Sequence, residues 1–145
     1  MKNILMIGLL ALAVLCVAPS ASAQGTAKTG PDASTVRDPE IEKDSLHNLN
    51  VARQYFKLKK AYVAALARCE EIIAGNPTFA QMDEVLYIAG ASSLRLAQKL
   101  GKQASKMPPD KLRDDAREYL SRLTKDFPES EFREQAEKEL RTLKP

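Results

Sequence analysis

Two thiols and one imidazole, Cys16, Cys69 and His47, are the side chains of this 145-residue chain that first suggest nucleophilic or metal chemistry. A zinc site needs three or four ligands, and a hydrolytic triad needs a His between a nucleophile and an orienting acid. Cys69 falls on an apolar stripe with Ala65 and Ile72, the position of a small packed hydrophobe. His47 stands among Asn48 and Asn50 with no ligand cluster around it. The paired acids Glu70-Glu71 and Asp114-Asp115 are adjacent in sequence. Neighbouring residues on a helix point about 100° apart, so neither pair sets two carboxylates on one substrate. The chain is therefore read as having no catalytic residue, no cofactor and no metal, and as not being an enzyme.

The remaining chemistry is electrostatic. Lys99, Lys102, Lys106, Lys111 and Arg113 form a basic stretch. It suits anionic lipid headgroups or an acidic partner, and an ordinary solvated loop accounts for it equally well. Across the chain, 22 Lys and Arg stand against 19 Asp and Glu, a formal charge of +3. A nucleic-acid binder clusters its cations against several phosphates, so no nucleic acid is expected as partner.

The elements that would position these groups begin after a leader. Residues 1–23 read as a signal peptide: Lys2 at the start, an apolar run from Ile4 to Val17, then Ala21-Ser22-Ala23 before Gln24. The run falls short of the roughly 20 residues of a spanning helix, so no transmembrane segment is expected after cleavage. A lipoprotein signal places a small residue before its acylated Cys, whereas Leu15 precedes Cys16, and lipidation is not expected. Cys69 would then be the sole thiol, with no intramolecular disulfide. Residues 24–37, rich in Gly, Thr, Ala, Ser and Asp, read as a disordered linker. Residues 38–145 form the folded domain.

Every apolar pattern in that domain has a period near 3.6, which predicts an all-α fold of five helices. The first starts at Asp38-Pro39-Glu40 or at Asp44-Ser45 and buries Leu49, Ala52 and Phe56, with Leu46 and Tyr55 beside them. The second runs from Tyr62 through Ala65, Leu66, Cys69, Ile72 and Ile73 to Gly75, with Pro77 beyond. The third presents Leu86, Ala89, Gly90, Ser93, Ala97 and Leu100, and its small residues invite a close helix crossing. A flexible loop, Gly101 to Pro109, follows. The fourth helix resumes after Asp110 with Leu112, Ala116, Tyr119, Leu120 and Leu123, and Phe127-Pro128 ends it. Ser130 is expected to cap the fifth, which carries Phe132, Ala136, Leu140 and Leu143.

An internal repeat organises these helices. Ala65, Cys69, Ile72 and Pro77 align with Ala116, Leu120, Leu123 and Pro128: Ala, apolar residues four and seven positions on, then Pro at twelve. That is the second-helix pattern of a tetratricopeptide repeat, and Leu49, Ala52, Phe56 and Leu86, Ala89, Ser93 match the first-helix pattern. The two alanines are 51 residues apart, beyond the usual period of about 34, an excess assigned to the loop and to an extended third helix. About two and a half repeats result.

On Ala52 to Phe56, Tyr62-Val63-Ala64-Ala65, Asn76-Pro77-Thr78-Phe79, Asp83 to Gly90 and Asp126-Phe127-Pro128-Glu129-Ser130, the chain resembles the BamD family of outer-membrane protein assembly lipoproteins. The resemblance covers about Asp44 to Leu143. It implies an exported, periplasmic helical scaffold, associated with the outer membrane, that holds partner proteins during β-barrel insertion. A general periplasmic peptide- or protein-binding adaptor is the alternative, and a small-ligand binder or enzyme using the helical groove is a third reading. In such repeats the first helices line the concave surface. The candidate partner-binding face is thus His47, Asn50, Gln54 and Lys57 on the first helix, with Glu84, Tyr87, Ala91, Leu94 and Arg95 on the third. Peripheral membrane contact is compatible with all of these readings.

Overall fold

The computed structural model describes residues 37–143, so the readings made for residues 1–23 and 24–36 lie outside it. The domain is an all-α stack of antiparallel helix pairs: α1 Pro39–Arg53, α2 Tyr62–Gly75, α3 Met82–Ala97, α4 Pro109–Asp126 and α5 Arg133–Thr142. A π-helical turn, Gln54–Lys59, prolongs α1. Helix α3 is the hub, packed on α2 and α4 and, more lightly, on α1 and α5.

Of the two possible starts of α1, Asp38 is the one used. Its Oδ1 accepts the Glu40 N–H at 2.9 Å, Pro39 fills the first turn, and Glu40 and Glu42 meet the positive end of the helix. Arg37, assigned above to the linker, donates from Nε to the Thr78 carbonyl at 2.9 Å. The buried line of α1 is Ser45, Leu49 and Ala52. Leu46 is exposed instead of packed, because α1 is an edge helix and Leu46 lies about 100° round from that line. Phe56 is only partly buried, as are Tyr55, Ile73, Tyr119 and Leu140 at the margins of the core. Both α1 and α3 end without glycine: Lys60 (φ 50°) and Lys99 (φ 59°) take the left-handed conformation themselves.

The repeat is written in backbone hydrogen bonds as well as in side chains. Asn76 N–H donates to Ile72 O, Phe79 to Asn76 and Met82 to Phe79; Phe127 donates to Leu123, Ser130 to Phe127 and Arg133 to Ser130, each 51 residues later. Each closing turn is also stapled back to the opening turn of a first helix. Asn76 Nδ2 donates to Glu42 Oε1 (3.0 Å) and Ser45 Oγ (3.1 Å), and Ser130 Oγ donates to Asp83 Oδ2 (2.7 Å). Ser130 Oγ also accepts the Phe132 N–H at 3.1 Å, so Ser130 caps the turn that leads into α5, while the residue directly before the helix, which starts at Arg133, is Phe132.

The long repeat is accounted for mainly by the connection from Gln98 to Pro108, since α3 at 16 residues exceeds α1 at 15 by only one and α4 already starts at Pro109. Leu100, expected on the α3 stripe, lies past the helix end and is 50% exposed. Lys99 and Leu100 donate their N–H groups to Leu96 O and Arg95 O, the paired bonds of a Schellman stop, which turns Leu100 outward. The loop is pinned where Lys102 N–H donates to Lys60 O (3.2 Å). Gly101 is required there: its φ is 101°, and a Cβ would stand 2.7 Å from Tyr62 Cδ2.

The closest helix crossing pairs α3 with α4. A Cβ on Gly90 would lie 2.6 Å from Leu120 Cγ and 3.4 Å from the Ala116 carbonyl oxygen. Ala89, Ala91, Ser92 and Ser93 around it are all buried, so the small-residue run of α3 is what admits α4.

Candidate partner-binding groove

The first helices of the repeats, α1, α3 and α5, lie side by side and touch sparingly, leaving an open groove between α3 and α5. It has a volume of about 500 Å³ and is lined by Tyr87, Leu94, Arg95, Gln98 and Leu100 from α3 and its exit, and by Gln135, Lys138, Glu139 and Thr142 from α5. Of the nine face residues named from sequence, the groove brings together Tyr87, Leu94 and Arg95.

The other six divide into two groups. His47, Asn50, Gln54 and Lys57 are exposed on α1 and its π turn, away from the groove lining. Asn50 Oδ1 accepts from Arg53 Nη1 at 2.7 Å. The π turn needs more residues per revolution than an α-helix, which carries Lys57 out of the strict row expected for it. Glu84 and Ala91 are buried. Ala91 has no surface to offer, because α3 is flanked on both sides, and Glu84 is spent on an internal ion pair.

Two such pairs tie the first helices together. Arg53 of α1 grips Glu84 of α3 with both ends of its guanidinium and donates also to Gln81 Oε1 (2.8 Å). The hydrogen bond to Glu84 raises the Arg53 pKa above its ordinary value against the effect of burial. Arg95 of α3 donates from Nη1 to Ala91 O (2.9 Å), and Nη1 and Nη2 both reach Glu139 Oε1 of α5 (3.2 and 3.1 Å). The second carboxylate oxygen, Glu139 Oε2, is buried and has no hydrogen-bond partner among the described residues.

Aromatic rings support this arginine. Tyr87 stacks on Phe132 (5.3 Å between centroids, 18°), Phe56 meets Tyr87 and Tyr62 edge-on (6.4 and 5.6 Å), and the Arg95 guanidinium lies 5.0 Å from the Phe56 centroid. Burial, and after it the Glu139 charge, push the Tyr87 phenol above its ordinary pKa, so it stays a neutral donor at physiological pH. Of these rings Tyr87 lines the groove, which thus offers Tyr87, Leu94 and Leu100 as apolar surface and Gln98, Gln135 and Lys138 as polar surface.

Sequence reasoning missed Glu139 as a groove residue, although it was visible as a charge three residues after Ala136 on the buried stripe of α5. Phe56 and Phe132, placed with the packed residues from sequence, stand partly buried against the core. Elsewhere, Cys69 is fully buried in α2, and burial raises its thiol pKa. No group of three or more His, Cys, Asp and Glu able to hold a metal ion gathers among the described residues. None of the described helices is long and apolar enough to cross a membrane.

A family model described as YfiO, outer membrane lipoprotein, matches residues 33–145. No curated protein and no solved structure matches the chain.

Proposed function

From a chain that belongs to the YfiO family of outer membrane lipoproteins, we propose a periplasmic helical-repeat scaffold that holds protein partners during outer-membrane β-barrel assembly. The groove between α3 and α5 receives an extended segment of the partner, with Tyr87, Leu94 and Arg95 on one wall. The exposed row His47, Asn50, Gln54 and Lys57 extends the contact surface over α1.

The observation that carries this reading is the open groove of about 500 Å³ between α3 and α5, with Tyr87, Leu94 and Arg95 on one side and Gln135, Lys138 and Glu139 on the other. Within it Arg95 is held by Glu139 Oε1. Among the described residues no nucleophile, base and orienting group converge in the groove lining. In this proposal the scaffold holds its partner with no catalytic step and no cofactor.

Site-specific photocrosslinking in the living envelope tests the proposal. A photoreactive residue at Gln98 or Lys138, both exposed on the groove rim, should form adducts with a component of the barrel-assembly machinery. Adducts only with soluble proteins unconnected to barrels would reassign the chain as a general periplasmic adaptor. The absence of adducts from either rim position, with the protein folded, would remove the groove as the binding site.

A further inference from the structure

The charges of the stack are sorted between its two ends. Antiparallel packing brings the exit of α1, the start of α2 and the exit of α3 to one end, where Lys102 N–H bonds Lys60 O. That end carries Lys57, Lys59, Lys60, Lys99, Lys102 and Lys106, all exposed. The sequence has no acid from Ser45 to Cys69 or from Val85 to Pro109.

Cations elsewhere are largely neutralised. Arg37, Lys43, Arg53, Arg68, Arg95, Lys111, Arg113, Arg117, Arg122 and Arg133 are each in an ion pair, whereas none of those six lysines is, among the described residues. The nearest acids, Asp110, Asp114 and Asp115 at the start of α4, are occupied by Arg113, Arg117 and Lys111. Between the lysines stand two outward leucines, Leu58 (80% exposed) and Leu100 (50%). Beside Leu100 a recess of about 370 Å³ is lined in part by Leu96, Met107 and Leu112.

We propose that this lysine-rich end docks on a surface of anionic phospholipid headgroups, with Leu58 and Leu100 inserted at the level of the upper acyl chains. Unpaired cations around projecting apolar tips match a bilayer interface, which offers phosphates in one layer and hydrocarbon just beneath. An acidic protein would satisfy the lysines and leave both leucines without a partner. This inference is independent of the barrel-assembly reading.

The chain contains no tryptophan, so Leu58→Trp in the full chain makes a single reporter at an exposed site. Its emission should shift to the blue with phosphatidylcholine vesicles containing phosphatidylglycerol and stay unchanged with phosphatidylcholine alone. Raised salt should reverse the shift by screening. Replacing Lys59, Lys60, Lys102 and Lys106 with Gln in the same background should weaken vesicle binding by nearly three orders of magnitude, each lysine near the surface contributing about fivefold. Equal shifts with both vesicle types, or a quadruple variant that binds as well as its parent, would overturn the proposal. So would the absence of any shift, and binding of polyglutamate in its place would assign this end to an acidic protein.

Discussion

The same substitution, Gly→Ala, should act with opposite sign at two helical glycines. At Gly75, the last residue of α2, an added Cβ meets nothing within 4 Å. At Gly90, in the middle of α3, it would stand 2.6 Å from Leu120 Cγ and 2.8 Å from Leu120 Cδ2, with Leu120 itself fully buried. Replacing Gly by Ala in a helix gains up to about 1 kcal/mol of propensity, less at the last residue. Overpacking a filled core costs about 1–3 kcal/mol. Gly75→Ala should therefore raise stability by a few tenths of a kcal/mol, and Gly90→Ala should lower it by about 1 kcal/mol net. In a domain of this size that is a fall in Tm of roughly 4–8 °C. Thermal melts followed by circular dichroism at 222 nm compare both variants with the parent. A Gly90→Ala protein melting at or above the parent would refute the close α3–α4 crossing. Leu120→Ala alone removes a buried side chain and costs about 2–5 kcal/mol, so the check is a double-mutant cycle: Gly90→Ala ceasing to destabilise in the Leu120→Ala background would identify Leu120 as the clashing group.

The repeat register predicts that Ala65→Leu and Ala116→Leu each lose about 1–3 kcal/mol by overpacking, read as a lower denaturation midpoint. Cys69, buried and with its thiol pKa raised, should resist alkylation in the folded protein and label only at the rate of opening, checked by mass spectrometry across a denaturant series. Arg95→Ala should cost about 2–4 kcal/mol by stranding the Glu139 carboxylate. Adding Glu139→Gln should recover much of that in a double-mutant cycle. Burial holds the Glu70 carboxyl above its ordinary pKa, so the folded state takes up this proton more readily than the unfolded chain. The resulting penalty is full above the raised value and fades as pH falls through it. Glu70→Gln should thus be neutral or stabilising near pH 7, with the difference from the parent shrinking in mild acid.

What was legible in the sequence is what short-range physics dictates. The helices follow from period 3.6, and the limits of α2 and the start of α1 follow from Gly75, Pro77, Asp38 and Pro39. The 51-residue repeat was carried by Ala65 and Ala116. Leu46 and Leu100 were misplaced for reasons no single helix contains: α1 has a neighbour on one side only, and Lys99 adopts a left-handed stop usually left to glycine. The concave face was half legible for the same reason. The i, i+3, i+4 spacing sorts residues onto faces correctly, but only the stack decides that Glu84 and Ala91 are covered while Tyr87, Leu94 and Arg95 line a groove.

The hub position of α3 also explains how the stack holds its helices in register. Within each hairpin, and across α2 and α3, the helices are joined by close apolar packing, of which the Gly90–Leu120 crossing is the tightest. The lateral contacts of α1, α3 and α5 are sparse, and each contains one buried or half-buried ion pair, Arg53–Glu84 and Arg95–Glu139. An apolar contact tolerates small slips, whereas a forked guanidinium loses its hydrogen bonds when the partner shifts by an ångström. The pairs therefore fix the spacing of the first helices, while small-residue packing fixes the α3–α4 hairpin. Arg95 and Glu139 also line the groove between α3 and α5, so the tie that spaces these two helices is itself part of the groove wall.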